Sequence, residues 1–273
     1  MRVLDLLKDK LSEEELRLLP RSYDLIGDIL IIELKEELES KEKLIGEAFL
    51  QFHKNAKVIL KKTGTIKGIR RIGEYQAIAG EHRTQTLHLE NNCKFKLDLS
   101  KVFFTPRLAS ERLRVARQVR EGEVVVDLFS GVGPFSVLIA KFSKAKKVYA
   151  IDINQDAIAY LKENILLNKV WGKVIPIQGD CREVVKRMRL KGDRVIMNLP
   201  QFAGDFLDVG LKAAKREAIV HFYYFLPESE LVEGAINLVR RKSKEAKKKI
   251  EILECIRCGQ VGPRYWRICV DFK

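Results

Sequence analysis

From residue 123 onward the chain alternates short apolar runs with stretches of helical periodicity, and this alternation constrains its fold more than any other feature. "EVVVDLF" (123–129), "KVYAIDI" (147–153), "KVIPIQGD" (173–180), "DRVIMNLP" (193–200) and "AIVHFYYF" (218–225) read as strands. The segments between them, 134–142, 155–169, 204–214 and 228–247, read as helices; in the second of these Ile158, Leu161 and Ile165 share one face. Strand and helix units of this length predict an α/β fold with a doubly wound, mostly parallel sheet. "KKIEILECIRC" and "RYWRICVDF" close the chain as a candidate antiparallel pair. In such a sheet, ligands bind at the carboxyl ends of the strands.

Residues 1–100 have a different texture and predict a small α+β domain. "SEEELRLL" starts as a capped helix, with Ser12 followed three residues later by Glu15. "DILIIEL" and "AKVILKKTG" read as strands, "KLIGEAFLQFHKN" as an amphipathic helix, and "TLHLENNCKFKLDL" as a hairpin turning at Asn91-Asn92. Residues 101–120 contain a linker helix, "RLASERLRVARQV", and 121–273 form the α/β domain.

The strand ends carry the chemistry. In "VVVDLFSGVGPFSV" an acid, Asp127, closes a buried strand, and Gly131 and Gly133 follow in the turn before a helix. Glycines there let the backbone turn sharply and approach a ligand closely. Ser136 stands where a dinucleotide fingerprint has its third glycine, and nothing else builds a pyrophosphate cradle, so NAD binding is the poorer reading. Asp152 ends the next strand, placed to accept both hydroxyls of a ribose. "GDCRE" supplies Asp180 and Cys181 at a third strand end, and Asn198-Leu199-Pro200 closes the fourth. An Asn amide donates and accepts at once, and a proline leaves its neighbours' carbonyls free, so this turn suits a planar N–H/C=O edge.

Composition adds a partner class. The chain has 273 residues, with 51 Lys and Arg against 37 Asp and Glu, a net charge of +14. That excess suits a polyanion such as nucleic acid; a charge-rich surface of a hot-growing organism is the alternative. No apolar stretch approaches membrane-spanning length and the amino terminus lacks a signal-peptide run, so a cytoplasmic protein is expected. Five cysteines in a chain this long do not read as a disulfide framework. Cys255 and Cys258 form a lone C-x-x-C, read as ordinary cysteines before zinc ligands or a local disulfide. His53, His82, His88 and His221 are too scattered for a metal site, so no metal is expected, and His221 reads as a packing or pocket-wall residue. The basic run 240–249, "RRKSKEAKKK", reads as a solvated helix end.

The pieces "FFTPRLASERLRVA" (103–116), "DLFSGVGPFSV", "YAIDIN", "GDCRE", "VIMNLP", "HFYYF" and "GPRYWRICVDF" together resemble the archaeal–eukaryotic tRNA (guanine-37-N1)-methyltransferases. The resemblance covers nearly the whole chain; the family's additional amino-terminal domain is expected to be missing here, residue 1 falling near the start of its second domain. It implies a Rossmann-like S-adenosyl-L-methionine (AdoMet) domain, tRNA with its anticodon loop as substrate, and a monomer. By resemblance Glu111 is the general base and Arg71, in "GIRRIG", the partner of guanine O6, with Asn198 and Pro200 holding the base edge. The same resemblance gives the cofactor Asp127, Phe129, Gly131, Gly133, Asp152, Ile153, Asp180, Cys181 and Asn198. It gives the substrate Phe103, Arg107, Arg112 and Leu199, with the two arginines as backbone anchors or cofactor-side structure. Three rivals stand beside this reading: an AdoMet-dependent aminocarboxypropyl transferase of the wybutosine pathway, a dual-specificity methyltransferase of that pathway, and an RNA-binding protein with a vestigial cofactor fold. Asn-x-Pro favours methylation over the first, and the acids at 127, 152 and 180 oppose the last.

Overall fold

The computed structural model describes residues 2–64 and 72–273 and divides the chain into two compact units, Met1–Pro106 and Arg107–Lys273. The linker segment is thereby parted, its helix Ala109–Gln118 lying in the second unit.

In the first unit α1 (Val3–Leu7) and α2 (Glu13–Leu18) precede β1 (Asp24–Ile26) and β2 (Ile29–Ile32), followed by α3 (Glu42–Phe52), β3 (Val58–Lys62) and β4 (Tyr75–Gly80). Ser12 caps α2 as its sequence predicts: the Glu15 amide donates to its hydroxyl at 3.2 Å, while the Ser12 amide donates to the Glu15 carboxylate at 2.8 Å. Among the described residues the strands pair in the order β1-β2-β3-β4, with β2 and β3 parallel. Leu30, Ile32, Ile45, Phe49 and Ile59 form the core between this sheet and α3. A separate hairpin, β5 (Gln85–Glu90) with β6 (Cys93–Asp98), turns at Asn91 and Asn92, both at positive φ (47° and 56°). Asn tolerates that left-handed region better than most side chains, which is why the two-residue turn closes here.

The second unit opens with α4 (Ala109–Gln118) and then runs β7 (Val124–Asp127), α5 (Pro134–Phe142), β8 (Lys147–Asp152), α6 (Gln155–Leu167), β9 (Val174–Gln178), α7 (Cys181–Met188) and β10 (Gly192–Met197). It continues through α8 (Leu207–Ala213), β11 (Ala214–Pro227), α9 (Glu233–Glu245), β12 (Ile252–Gly262) and β13 (Tyr265–Phe272). The sheet order is β12-β13-β11-β10-β7-β8-β9. Pairing is parallel from β11 to β9, while β13 and β12 join antiparallel at the other edge, as the terminal pair predicts. The order reverses at β7 and β10, so the carboxyl ends of these two strands flank the switch point where such sheets bind ligands. Val126, Ile151, Val195, Met197, Val220 and Phe222 pack the core that fixes those ends.

Candidate functional site

β7 ends at Asp127, which is buried, and the turn after it is pinned to both neighbouring strands. The Leu128 amide donates to the Ile196 carbonyl at 3.0 Å and the Ser130 amide to the Ile151 carbonyl at 2.8 Å. Gly131 and Gly133 take positive φ (54° and 90°), and a Cβ on Gly133 would lie 2.3 Å from Leu161 Cδ1. Pro134 then opens α5, its fixed φ suiting the first turn. Ser136 donates its hydroxyl to Asp127 Oδ2 at 2.7 Å. Burial pushes the Asp127 carboxyl up to about 7, against the pull of Ser136 and the Phe129 amide.

At the end of β8, Asp152 accepts the Gly131 amide (2.7 Å) on one oxygen and the Asn154 amide (2.8 Å) on the other. It thereby ties the glycine turn to the next strand, and burial raises its carboxyl while these amides oppose that. Ile153 follows, more than a third exposed beside this acid. Asp180 caps α7, accepting the Arg182 amide at 2.8 Å. Cys181 is buried beneath it, and burial pushes its thiol up to about 12. Phe129 packs edge-on against Phe206. Three buried polar atoms stand at or just past adjacent strand ends with no hydrogen-bond partner among the described residues: Asp127 Oδ1, Ser130 Oγ and Asn198 Oδ1. Burying such atoms is costly unless something else pairs them, so together with the two glycines they fit a small polar ligand approaching the backbone closely.

Asn198 follows β10, with Leu199 and Pro200 buried after it. Leu199 accepts the Phe202 amide on its carbonyl at 3.0 Å, which closes the turn, and the Asn198 side-chain oxygen is buried beside it. β10 and β11 pair Ile196 with His221 and Met197 with Phe222; one step further sets Asn198 level with Tyr223. The Tyr223 hydroxyl donates to Glu111 Oε1 at 2.6 Å. Glu111 is buried in the first turn of α4, and Arg114, one turn on, donates Nε to Oε2 (2.8 Å) and Nη2 to Oε1 (2.7 Å). A fixed carboxylate of α4 is thus held against β11, the strand paired with the one that leads into the Asn-Leu-Pro turn.

The sequence model of the TRM5/TYW2 methyltransferase domain matches residues 86–253, and that of the TYW2 N-terminal domain matches residues 3–84. The chain belongs to the TRM5/TYW2 methyltransferase family. It is 45% identical over 261 residues to the tRNA (guanine(37)-N(1))-methyltransferase Trm5b of Pyrococcus abyssi, covering 96% of this chain and 77% of that protein. A tRNA(Phe) (4-demethylwyosine(37)-C(7)) aminocarboxypropyltransferase of Pyrococcus horikoshii is 33% identical, covering 100% of this chain and 96% of that one. Among solved structures, a complex of aTrm5 with tRNALeu superposes with a TM-score of 0.87 at 39% identity, covering 98% of this chain and 76% of that one.

Of the other residues the sequence singles out for this family, Arg112 is buried, its guanidinium 6.0 Å from the centre of the Phe135 ring. It faces the helix that follows the glycine turn, which suits cofactor-side structure better than contact with a large substrate. Arg107 is exposed, and Phe103 is half-buried in the first unit. Arg71 lies outside the described residues.

Sequence reasoning missed the groups that hold Glu111. Arg114 also donates to Asp271 (Nη1 to Oδ2, 2.7 Å), and His221 Nδ1 lies 2.6 Å from Asp271 Oδ1. The i,i+3 spacing of Glu111 and Arg114 is a readable signal; the 157-residue reach to Asp271 leaves none. His221 is fully buried in this network, with burial lowering its pKa against the pull of Asp271. His221, Cys269 and Asp271 offer metal-ligand atoms within 4.8 Å of one another. They already bond to each other, however, and the guanidiniums of Arg114 and Arg194 at hydrogen-bond distance oppose a further cation. Cys255 and Cys258 are free thiols on β12.

Proposed function

We propose that this chain transfers a methyl group from AdoMet to N1 of guanosine 37 in the tRNA anticodon loop, with Glu111 as general base. One observation carries the reading: a buried carboxylate on α4, fixed by Arg114 and by Tyr223 of β11, the strand paired with the one that leads into the Asn198-Leu199-Pro200 turn. N1 of guanine bears a proton at neutral pH, so its lone pair is free to attack only when a base removes that proton. Glu111 takes it. Asn198 meets the N–H/C=O edge, with Pro200 shaping the turn, and Arg71, assigned by its motif, offsets the negative charge growing at O6. AdoMet supplies an electrophilic methyl on a sulfonium. Asp152 accepts the ribose hydroxyls and Asp180 the adenine amino group, while the glycine turn gives room for close approach. The target base is extruded from its stack to reach these groups. A tRNA substrate supports the cytoplasm as its compartment.

The aminocarboxypropyl transfer named for the P. horikoshii relative is the second reading, favoured by the amino-terminal domain match over residues 3–84. The higher identity to Trm5b and the Asn-Leu-Pro turn support methylation. Single-turnover assays on unmodified tRNA test the base: Glu111→Gln should slow methylation about a hundredfold or more while tRNA binding stays within about twofold. A full rate in that variant overturns the assignment.

A further inference from the structure

Around Glu111 the second unit buries a chain of charges longer than proton removal alone requires. Arg114 bridges Glu111 and Asp271. Asp271 also lies 2.6 Å from His221 Nδ1 and 3.1 Å from the Cys269 sulfur. His221 Nε2 lies 2.7 Å from Nη1 of Arg194, which is fully buried and pairs with Glu123 at 2.9 Å. A guanidinium only donates, so His221 Nε2 accepts, and the ring's single proton sits on Nδ1 and is donated to Asp271. His221 is therefore neutral. The buried network then holds three carboxylates, Glu111, Asp271 and Glu123, against two guanidiniums, Arg114 and Arg194.

We infer that Arg114 and Tyr223 are positioning residues for Glu111, and that Asp271 draws part of the Arg114 charge away from it. This rests on Glu111 being the base. An arginine fork and a phenol both stabilise a carboxylate as an anion, which fixes its direction but weakens it as a proton acceptor. Asp271 works the other way: it shares the same guanidinium and places a second negative charge nearby. With one carboxylate more than guanidiniums, the network becomes neutral when Glu111 takes the proton. The remaining groups facing this chain are Glu254, Cys255 and Cys258 of β12 and Cys269 of β13. Glu254 is 3.8 Å from Arg114 and more than half exposed, so water screens it.

The two arms predict opposite effects, which a merely structural role would not produce. In the pH profile of single-turnover methylation at saturating AdoMet and tRNA, Tyr223→Phe should move the acid limb to higher pH, having lost a donor to the anion. Asp271→Asn should move it to lower pH, since Arg114 then serves Glu111 alone. Limbs that stay put, or move in the same direction, overturn the inference. Should Asp271→Asn fail to fold, Arg114→Lys carries that arm. It keeps the charge but loses the fork, and should slow the plateau rate about tenfold or more with tRNA affinity within about twofold; an unchanged plateau rate overturns the inference. If Glu111→Gln retains the full rate, the base assignment itself fails. If Glu111→Gln is slow while the limbs do not move, only the positioning account fails.

Discussion

Asp127 shows how a single side chain can join stability to ligand binding. Its carboxyl is raised by burial to about 7, with the Ser136 hydroxyl on Oδ2 and no hydrogen-bond partner for Oδ1 among the described residues. A carboxyl with a folded-state pKa above its unfolded value binds a proton more tightly when folded. It therefore favours folding below about pH 4, and that contribution is lost as pH rises towards about 7. His221 has the opposite slope, being held neutral, and Asp271 acts only at more acidic pH. The difference between wild type and Asp127→Asn isolates Asp127: urea unfolding at pH 5 and 8 should show the wild type losing a few kcal/mol more than the variant, on the order of two to four. Equal losses would contradict the buried, proton-holding carboxyl. At the reacting end, Asn198→Ala removes a side chain whose carbonyl oxygen has no partner among the described residues. It should cost little stability, under about 1 kcal/mol, yet slow methylation by roughly tenfold or more, as thermal melting and single-turnover rates would show.

At the scale of elements, the glycine turn between β7 and α5 is where backbone conformation decides function. Gly133→Ala meets both a left-handed φ and a Leu161 methyl group, so it should destabilise the unit by about 2 kcal/mol or more. It should also weaken AdoMet binding in calorimetry; wild-type affinity would show that the turn does not approach the cofactor. The elements bearing the site are the ones most legible in the sequence, because parallel strands buried on both faces read as unbroken apolar runs. β7, β8 and β10 therefore stand out, each with its acid or amide at or just past the strand end. β4 does not: only Ile78 of its six residues is buried, so it lacks a clear apolar signal. β11 begins at Ala214, earlier than its apolar core suggests, because Lys215, Arg216 and Glu217 extend the strand into solvent. Of the site, the strand-end residues and Glu111 can be read from motifs, while the partners of Glu111 cannot. Tyr223 and Asp271 are brought to α4 only by the sheet, and pairings over such separations leave no periodic trace.

For the whole molecule, a net charge of +14 predicts how the substrate is held. If phosphates carry much of the affinity, tRNA binding should weaken steeply between roughly 50 and 200 mM salt while AdoMet binding barely changes. A flat tRNA response would assign the excess charge to surface solvation instead. The named relatives include a methyltransferase and an aminocarboxypropyltransferase, and the Asn198-Leu199-Pro200 turn with the buried Glu111 carboxylate supports the first chemistry for this chain. Two labels on AdoMet separate them most directly. With tritium on the methyl group and radiocarbon in the carboxyl group, and unmodified tRNA bearing guanosine 37 as acceptor, the tRNA should gain tritium alone and release 1-methylguanosine on digestion. Radiocarbon in the tRNA, or neither label, would contradict the account.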